Sequence, residues 1–317
     1  RLYNDEVTDI LLHKDFYSME DYPTLSFQNY KIIHQIWNTS DDSKIVATHP
    51  ILKENLSIKN FKTLSRSNWL NDEYDGCLDG QIPIDKLGHK AYIKLILKRE
   101  KDRGNDEKKF YIFNTFFYTF LEKLKNGTEK IDKVMKVLKR AQVFLFSKIL
   151  AIILSGASVR MQSVYHTNKC QNNHWNFVEV DNLKHTITCN DSLFLSKSAA
   201  EQYFQTISNF LEKAFQQEQS QNQGLPNGLG HRNSYSNYHL LVLEKNKTIF
   251  AAYQPYKLVV NESYPRQDNL NDCGVFMLKG IEFRSRNAHP SFDAKDMLYF
   301  RNLIAYELYH GSLLNSC

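Results

Sequence analysis

Between Ala200 and Ala214 the apolar residues Tyr203, Phe204, Ile207, Phe210 and Leu211 recur at three- and four-residue intervals, the spacing of one buried helix face. Ser198, with Glu201 three positions on, is the capping box expected at the start of that helix. Upstream, His174–Val180 and His185–Asp191 read as strands, and Asp181-Asn182-Leu183-Lys184 as the hairpin turn between them. After Gly274, the residues Val275, Phe276, Met277, Leu278 and Ile281 predict a helix buried nearly all round. Helical spacing also links Phe113, Phe116, Phe117, Phe120 and Leu121, and it resumes over Ile84–Leu97. The most apolar stretch, Val143–Leu154, contains Lys148 and is too short for a bilayer, so it predicts a buried helix end and a strand. His239–Leu243 and Tyr256–Val260 read as further strands, and Gln216–Asn237, rich in Gln, Asn, Ser and Gly, as a mobile loop. Residues 1 to about 60 are aromatic and charged without clear periodicity, and no internal repeat is present.

The run Gln267-Asp268-Asn269-Leu270-Asn271-Asp272-Cys273-Gly274 places a cysteine where the helix after it begins. Asn269 and Asp272 are good capping residues. The unpaired N–H groups and the positive end of the helix dipole favour a thiolate at that position, the form of cysteine that attacks carbonyls. A lone cysteine in a core helix is otherwise a small structural residue. A base distinguishes the two readings.

A turn centred on Asn182 and Leu183 sets His174 directly opposite Asp191, with both side chains on one face of the hairpin. A carboxylate beside an imidazole fixes its orientation and tautomer, as a Cys-His-Asp triad requires. The same hairpin supports a second reading. Cys170, His174, His185 and Cys189 carry donors suited to a structural zinc ion, although the spacing is unusual and Cys170 lies in a polar loop. One histidine cannot ligate zinc and serve as a general base.

Composition narrows the setting. The chain has 317 residues, 42% of them hydrophobic, enough for a full core. Its five cysteines show no paired pattern, which argues against a secreted disulfide scaffold. Forty Lys plus Arg against 35 Asp plus Glu is too balanced to indicate nucleic-acid binding, and no stretch predicts a membrane span. The chain opens on Arg1, so a fragment of a longer polypeptide is expected, with any targeting signal outside it.

These separated motifs resemble those of the SUMO-specific (Ulp/sentrin-specific) cysteine proteases. His174-Trp175, Asp191-Ser192-Leu193 and Gln267 through Gly274 are similar to that family's His-Trp, Asp-Ser-Leu and Gln-x-Asn-x-x-Asp-Cys-Gly patterns. Asn68-Trp69-Leu70-Asn71-Asp72, Phe113-Asn114-Thr115-Phe116-Phe117-Tyr118, and Asp296 through Arg301 with Glu307 and Leu308 resemble three more of its segments. The likeness spans about residue 62 to residue 315. It implies an α+β papain-like fold: a central, largely antiparallel sheet flanked by helices, with the nucleophile at the N-terminus of a buried helix.

The resemblance further implies that Cys273 is the nucleophile, His174 the base, Asp191 its orienter and Gln267 the side-chain oxyanion donor. Trp69 is similar to the tryptophan that closes over the modifier's Gly-Gly tail, Trp175 to one that packs beneath that channel, and Asp72 to a residue that pairs with an arginine on SUMO. Core packing for both tryptophans and helix capping for Asp72 are the alternatives. Phe116 is expected in the core rather than the substrate groove. The implied layout is an extension over residues 1–60 and a catalytic domain over 61–317, with a mobile insertion at 216–237. The implied reaction is hydrolysis after the C-terminal Gly-Gly of SUMO, with no cofactor and no metal. The implied partners are SUMO or another ubiquitin-like protein and its conjugates, in the nucleus or cytoplasm.

Three departures bear on substrate choice. Gly76, Gly80 and Pro83 interrupt the helix that follows Trp69 in the family, a polar stretch from Ser155 to Asn173 precedes His174, and 216–237 lengthens the path to Cys273. Three other functions share parts of the pattern: cleavage of a different ubiquitin-like modifier, acetyl transfer through the same triad, and a non-catalytic SUMO-binding module.

Overall fold

The computed structural model describes residues 23–50, 54–65, 68, 88–103, 110–113, 116–128, 148–155, 174–222 and 255–314. Those within 107–264 form one unit, and those within 1–106 and 265–317 form another.

The 107–264 unit is built on a sheet of β3 (Phe110–Phe113), β4 (Lys148–Ser155), β5 (His174–Asp181), β6 (Thr186–Asn190) and β7 (Lys257–Val260), side by side in that order. β5 pairs antiparallel with both β4 and β6, while β3 with β4 and β6 with β7 are parallel. Two of four ladders are parallel, so the sheet is mixed rather than largely antiparallel. The reason lies in the connections. Parallel neighbours need a crossover, and α4 (Phe116–Lys125) and the long α5 (Lys197–Asn222) lie in the two connections concerned. Both helices bury their apolar stripes on one sheet face, where Phe117, Leu121, Tyr203, Ile207, Phe210 and Ala214 meet Ile149, Ala151, Ile153, Val178, Val180, Ile187 and Cys189.

Phe113 belongs to β3 and not to the helix, although its ring stacks on Phe117 at 3.6 Å between centroids and 4° between planes. The side chain of Phe116 lies outside the described residues. α5 starts two residues earlier than its capping box predicted, because Ser196 is the cap: its Oγ and carbonyl oxygen accept from the N–H groups of Ala199 and Ala200. It also continues to Asn222, through residues predicted as loop. Gln216, Gln217 and Glu218 are good helix formers, and the breakers Gly224 and Pro226 come only later. Residues 223–237 and the predicted strand His239–Leu243 lie outside the described residues.

The other unit contains α1 (Phe27–Trp37), the antiparallel pair β1 (Ile45–His49) and β2 (Glu54–Ser57), α2 (Ile58–Lys62), α3 (Gly88–Asp102), α6 (Cys273–Ser285) and α7 (Met297–His310). α1 falls in a stretch that predicted no periodicity. Its buried stripe, Tyr30, Ile33 and Ile36, is only one residue wide per turn and is diluted by Gln28, Asn29, Lys31 and His34. α6 is buried on nearly every side, as its run of apolar residues predicted. Phe276, Phe283 and Phe300 surround Phe292 with ring centroids 5.4–5.6 Å from it.

That core also holds charge. Glu282, on α6, takes Arg99 from α3, Lys279 at 3.2 Å and Arg286 at 2.8 Å. Burial alone would raise its pKa, but the three cations outweigh burial and hold it down at about 2. Glu307 has the opposite balance. Burial pushes it up to about 7 even though Tyr92 Oη and the Leu314 N–H donate to it at 2.8 and 2.9 Å.

Replacing Arg99 with Met removes one of three cations around Glu282, which places the expected loss at the low end of that for a broken buried pair, about 3 kcal/mol at pH 7. The Glu282 contribution is fully present above the ordinary glutamate value and fades as pH falls toward about 2. Urea denaturation of wild type and Arg99→Met at pH 7 and pH 3 is expected to show a smaller difference at pH 3.

Candidate active site

The β5–β6 hairpin positions two of the candidate residues. Phe177 faces Asn190 and Asp181 faces Thr186, so the turn spans residues 182–185 and is centred two half-steps later than the two-residue turn predicted. Asp181 explains the difference. Its Oδ1 accepts from the N–H groups of Leu183 and Lys184 at 3.0 and 2.9 Å, and His185 closes the turn with a left-handed backbone, φ 51°. In this register Asp191 lies beyond the end of β6, opposite Asn176 rather than His174. The displacement is two residues, which preserves the face. His174 and Asp191 therefore still meet, His174 Nε2 lying 2.6 Å from Asp191 Oδ1.

A carboxylate only accepts, so Nε2 carries the proton in this bond and Nδ1 is left as the basic nitrogen of the neutral ring. The Leu193 N–H donates to the same Oδ1 at 2.7 Å, and Asn176 Nδ2 lies 3.4 Å from Oδ2. Asp191 in turn acts on its neighbours. Burial and its charge together push the Cys189 thiol up to about 12 and raise the Tyr264 hydroxyl well above its ordinary value. Trp175, one residue from His174 and on the opposite face of β5, is 2% exposed.

The zinc reading loses its geometry here. His185 is in the turn with its ring tilted against Tyr256, Cys189 faces the core, and Cys170 lies outside the described residues. Among the described residues, no group of three or more His, Cys, Asp or Glu side chains is placed to hold a metal ion.

Cys273 and Gln267 belong to the other unit. Cys273 is the first residue of α6 and is 2% exposed. The loop before it is knotted by its own side chains. Gln267 Nε2 donates to the Asn269 carbonyl at 2.5 Å, and Asn269 Oδ1 accepts from the N–H groups of Asn271 and Asp272 at 2.9 and 3.1 Å. Asn269 Nδ2 donates to Asp272 Oδ2 at 2.7 Å. Asp272 precedes the helix but does not cap it, because its carboxylate is committed elsewhere. Arg301 on α7 reaches Asp272 Oδ1 through Nε at 2.8 Å and Nη2 at 2.6 Å, and also donates to the Asn271 carbonyl at 3.0 Å. Arg301 Nη1 extends to the carbonyl oxygens of Thr63 and Ser65, each at 3.4 Å.

Sequence reasoning assigned no role to Arg301. A cation between Phe300 and the apolar Leu303-Ile304 pair was the available signal, since a charge on a buried face needs a partner. Trp69 and Asp72 lie outside the described residues.

A mixed sheet bearing a carboxylate-bonded histidine, with a buried helix headed by cysteine, is the equipment of a cysteine protease. Residues 89–313 match the Ulp1 protease family, C-terminal catalytic domain, and the chain belongs to that family. It is 26% identical over 264 residues to a sentrin-specific protease of Caenorhabditis elegans, covering 81% of this chain but only 27% of that protein. A putative ubiquitin-like-specific protease 1B of Arabidopsis thaliana is 24% identical over 289 residues, 91% of this chain and 68% of the relative. Among solved structures, the C-terminal Ulp1 protease domain in complex with Smt3, the yeast ortholog of SUMO, superposes with a TM-score of 0.57 at 18% identity, over 93% of this chain and 99% of that one. The Ulp1-like SUMO protease catalytic domain of Chaetomium thermophilum gives 0.51 at 18% identity, over 91% and 90%. The fold is thus the α+β Ulp1 protease fold, and no described helix is long and apolar enough to cross a membrane.

Arg301→Leu leaves the Asp272 carboxylate buried without a cation and is expected to lower the unfolding free energy by about 3–5 kcal/mol. Adding Asp272→Asn to the same chain is expected to recover part of that loss. A double-mutant cycle in urea measures both effects.

Proposed function

We propose that this chain hydrolyses the bond after the C-terminal Gly-Gly of SUMO, in a precursor tail or in an isopeptide link to a target lysine. The observation that carries the reading is the 2.6 Å contact between His174 Nε2 and Asp191 Oδ1, which leaves Nδ1 as the basic nitrogen. In this mechanism Nδ1 takes the proton of the Cys273 thiol. The thiolate attacks the glycine carbonyl, and Gln267 with a backbone N–H stabilises the oxyanion. The imidazolium then protonates the leaving amine, and the C–N bond breaks to give a thioester. Water, deprotonated by the same imidazole, releases the glycine carboxylate and restores the thiol. Asp191 holds the ring in one tautomer and stabilises its cationic form.

The knotted loop is consistent with the role given to Gln267, because a side chain already held at Asn269 loses little freedom when it binds an oxyanion. The choice of modifier follows relatives that are themselves named for sentrin or were solved with Smt3. The plant relative is named only for ubiquitin-like proteins, so cleavage of another such modifier is the second reading. Trp69, Asp72 and Trp175 are proposed to contact the modifier and its tail.

Purified protein is to be incubated with SUMO, ubiquitin and a third ubiquitin-like protein, each carrying a thiol-reactive electrophile in place of its last glycine. The expected result is a covalent adduct with SUMO that is lost in Cys273→Ala, while Cys273→Ala still binds SUMO. An adduct with a different modifier alone moves the substrate. No adduct from folded protein, together with consumption of acetyl-CoA, overturns the hydrolase reading. Gln267→Ala is expected to lower turnover by roughly 10²- to 10³-fold, the range for one preorganised oxyanion donor.

A further inference from the structure

Asn176 stands two residues along β5 from His174, so the two side chains share a face. That face continues inward to Val178, Val180, Ile187 and Cys189, the apolar floor covered by α4 and α5. Asn176 is thus at the boundary between the His174–Asp191 pair and the hydrocarbon core, and it is 3% exposed. Its Nδ2 lies 3.4 Å from Asp191 Oδ2 and 3.5 Å from Tyr203 Oη. Its Oδ1 is buried without a hydrogen-bond partner.

An amide in this place is unfavourable for packing alone. A leucine has nearly the same shape and no orphaned oxygen, and a buried acceptor without a donor carries the full cost of its desolvation. Position 176 nevertheless holds a residue whose donor half points at the Asp191 carboxylate. Asp191 Oδ1 already serves His174 Nε2 and the Leu193 N–H, and Asn176 addresses the second oxygen. Tyr203, seated on α5 and braced edge-on against Tyr118 at 5.3 Å, places its Oη 3.5 Å from the same amide nitrogen. The contacts are long for hydrogen bonds, as catalytic contacts in resting sites commonly are.

We infer that Asn176 is a positioning residue of the proposed reaction: its amide N–H anchors Asp191 Oδ2, keeps the carboxylate plane fixed and so holds Oδ1 on His174. The inference rests on the assignment of His174 and Asp191 to catalysis. Without the anchor the carboxylate can rotate away from Nε2, and the imidazolium loses part of the charge that stabilises it. Among the described residues, Cys189 and Tyr264 also feel the Asp191 charge, and both are held protonated well into the alkaline range. His174 must be neutral to take the thiol proton, so the acidic limb of the rate profile reports it.

Asn176→Leu is to be compared with wild type in thermal stability, in kcat and KM for cleavage of a modifier fusion across pH, and in the His174 imidazole titration by NMR. The expected result is thermal stability equal to or above wild type and KM unchanged. kcat is expected to fall roughly tenfold, a fraction of the 10²–10⁴-fold available from general acid–base catalysis. The His174 titration and the acidic limb are expected to move together to lower pH. Wild-type kcat with an unmoved titration overturns the inference, as does a loss of kcat that follows collapsed stability with an unmoved titration. A titration that moves while the rate profile does not keeps the anchor and refutes His174 as the base. Should the leucine variant not fold, Asn176→Ala removes the amide without filling its space and carries the same outcomes.

Discussion

The Asp272 carboxylate, removed from water and held by Arg301 and Asn269, is the interaction on which the cysteine-bearing unit depends. A lone buried carboxylate is strongly unfavourable, so neighbouring groups have to supply donors to it. The Asn269 amide and the Arg301 guanidinium do so, and each adds bonds of its own to the main chain at residues 271, 63 and 65. One charge thereby ties the start of α6 to α7 and to the chain leading toward Asn68. Asp272, the residue before the nucleophile candidate, makes this tie with its carboxylate. Capping, the role its position suggested, is left to the backbone.

In the other unit the equivalent constraint is the register of the β5–β6 hairpin. Asp181 folds the turn by accepting two backbone N–H groups, and the register so chosen differs by two residues from the one predicted. Because side chains alternate with period two, a shift of two leaves His174, Asn176, Cys189 and Asp191 on the same face. A shift of one would have sent Asp191 to the opposite side. The prediction of the His174–Asp191 pair survived an error in turn geometry for this reason.

Both units place polar groups where burial acts hard on them, with different outcomes. Glu282 keeps its charge because three cations outnumber it, Glu307 is drawn toward neutrality because the Lys279 charge and two hydrogen bonds together do not offset burial, and Cys189 holds its proton. The β5–β6 hairpin thereby carries a thiol that keeps its proton close to the Asp191 carboxylate.

Much of the candidate site was legible in the chain. His174, Asp191, Gln267 and Cys273 occupy short local motifs, and local spacing is what sequence records directly. α5 was legible because its apolar stripe is long and α6 because its apolar run is nearly continuous, whereas α1 was missed because its stripe is narrow. The mixed sheet was not legible, since parallel pairing is set by which strands the crossovers bring together and leaves little mark on any one strand. Arg301 and Asn176 were not legible either. Arg301 meets Asp272 from 29 residues away and Asn176 meets Asp191 from 15, and each looks ordinary until its partner arrives. By itself the sequence determined the residue types and their local periodicity, and with them the chemistry available. Only the tertiary structure decided which buried polar groups were satisfied and by whom, because that satisfaction depends on distances between segments far apart in the chain.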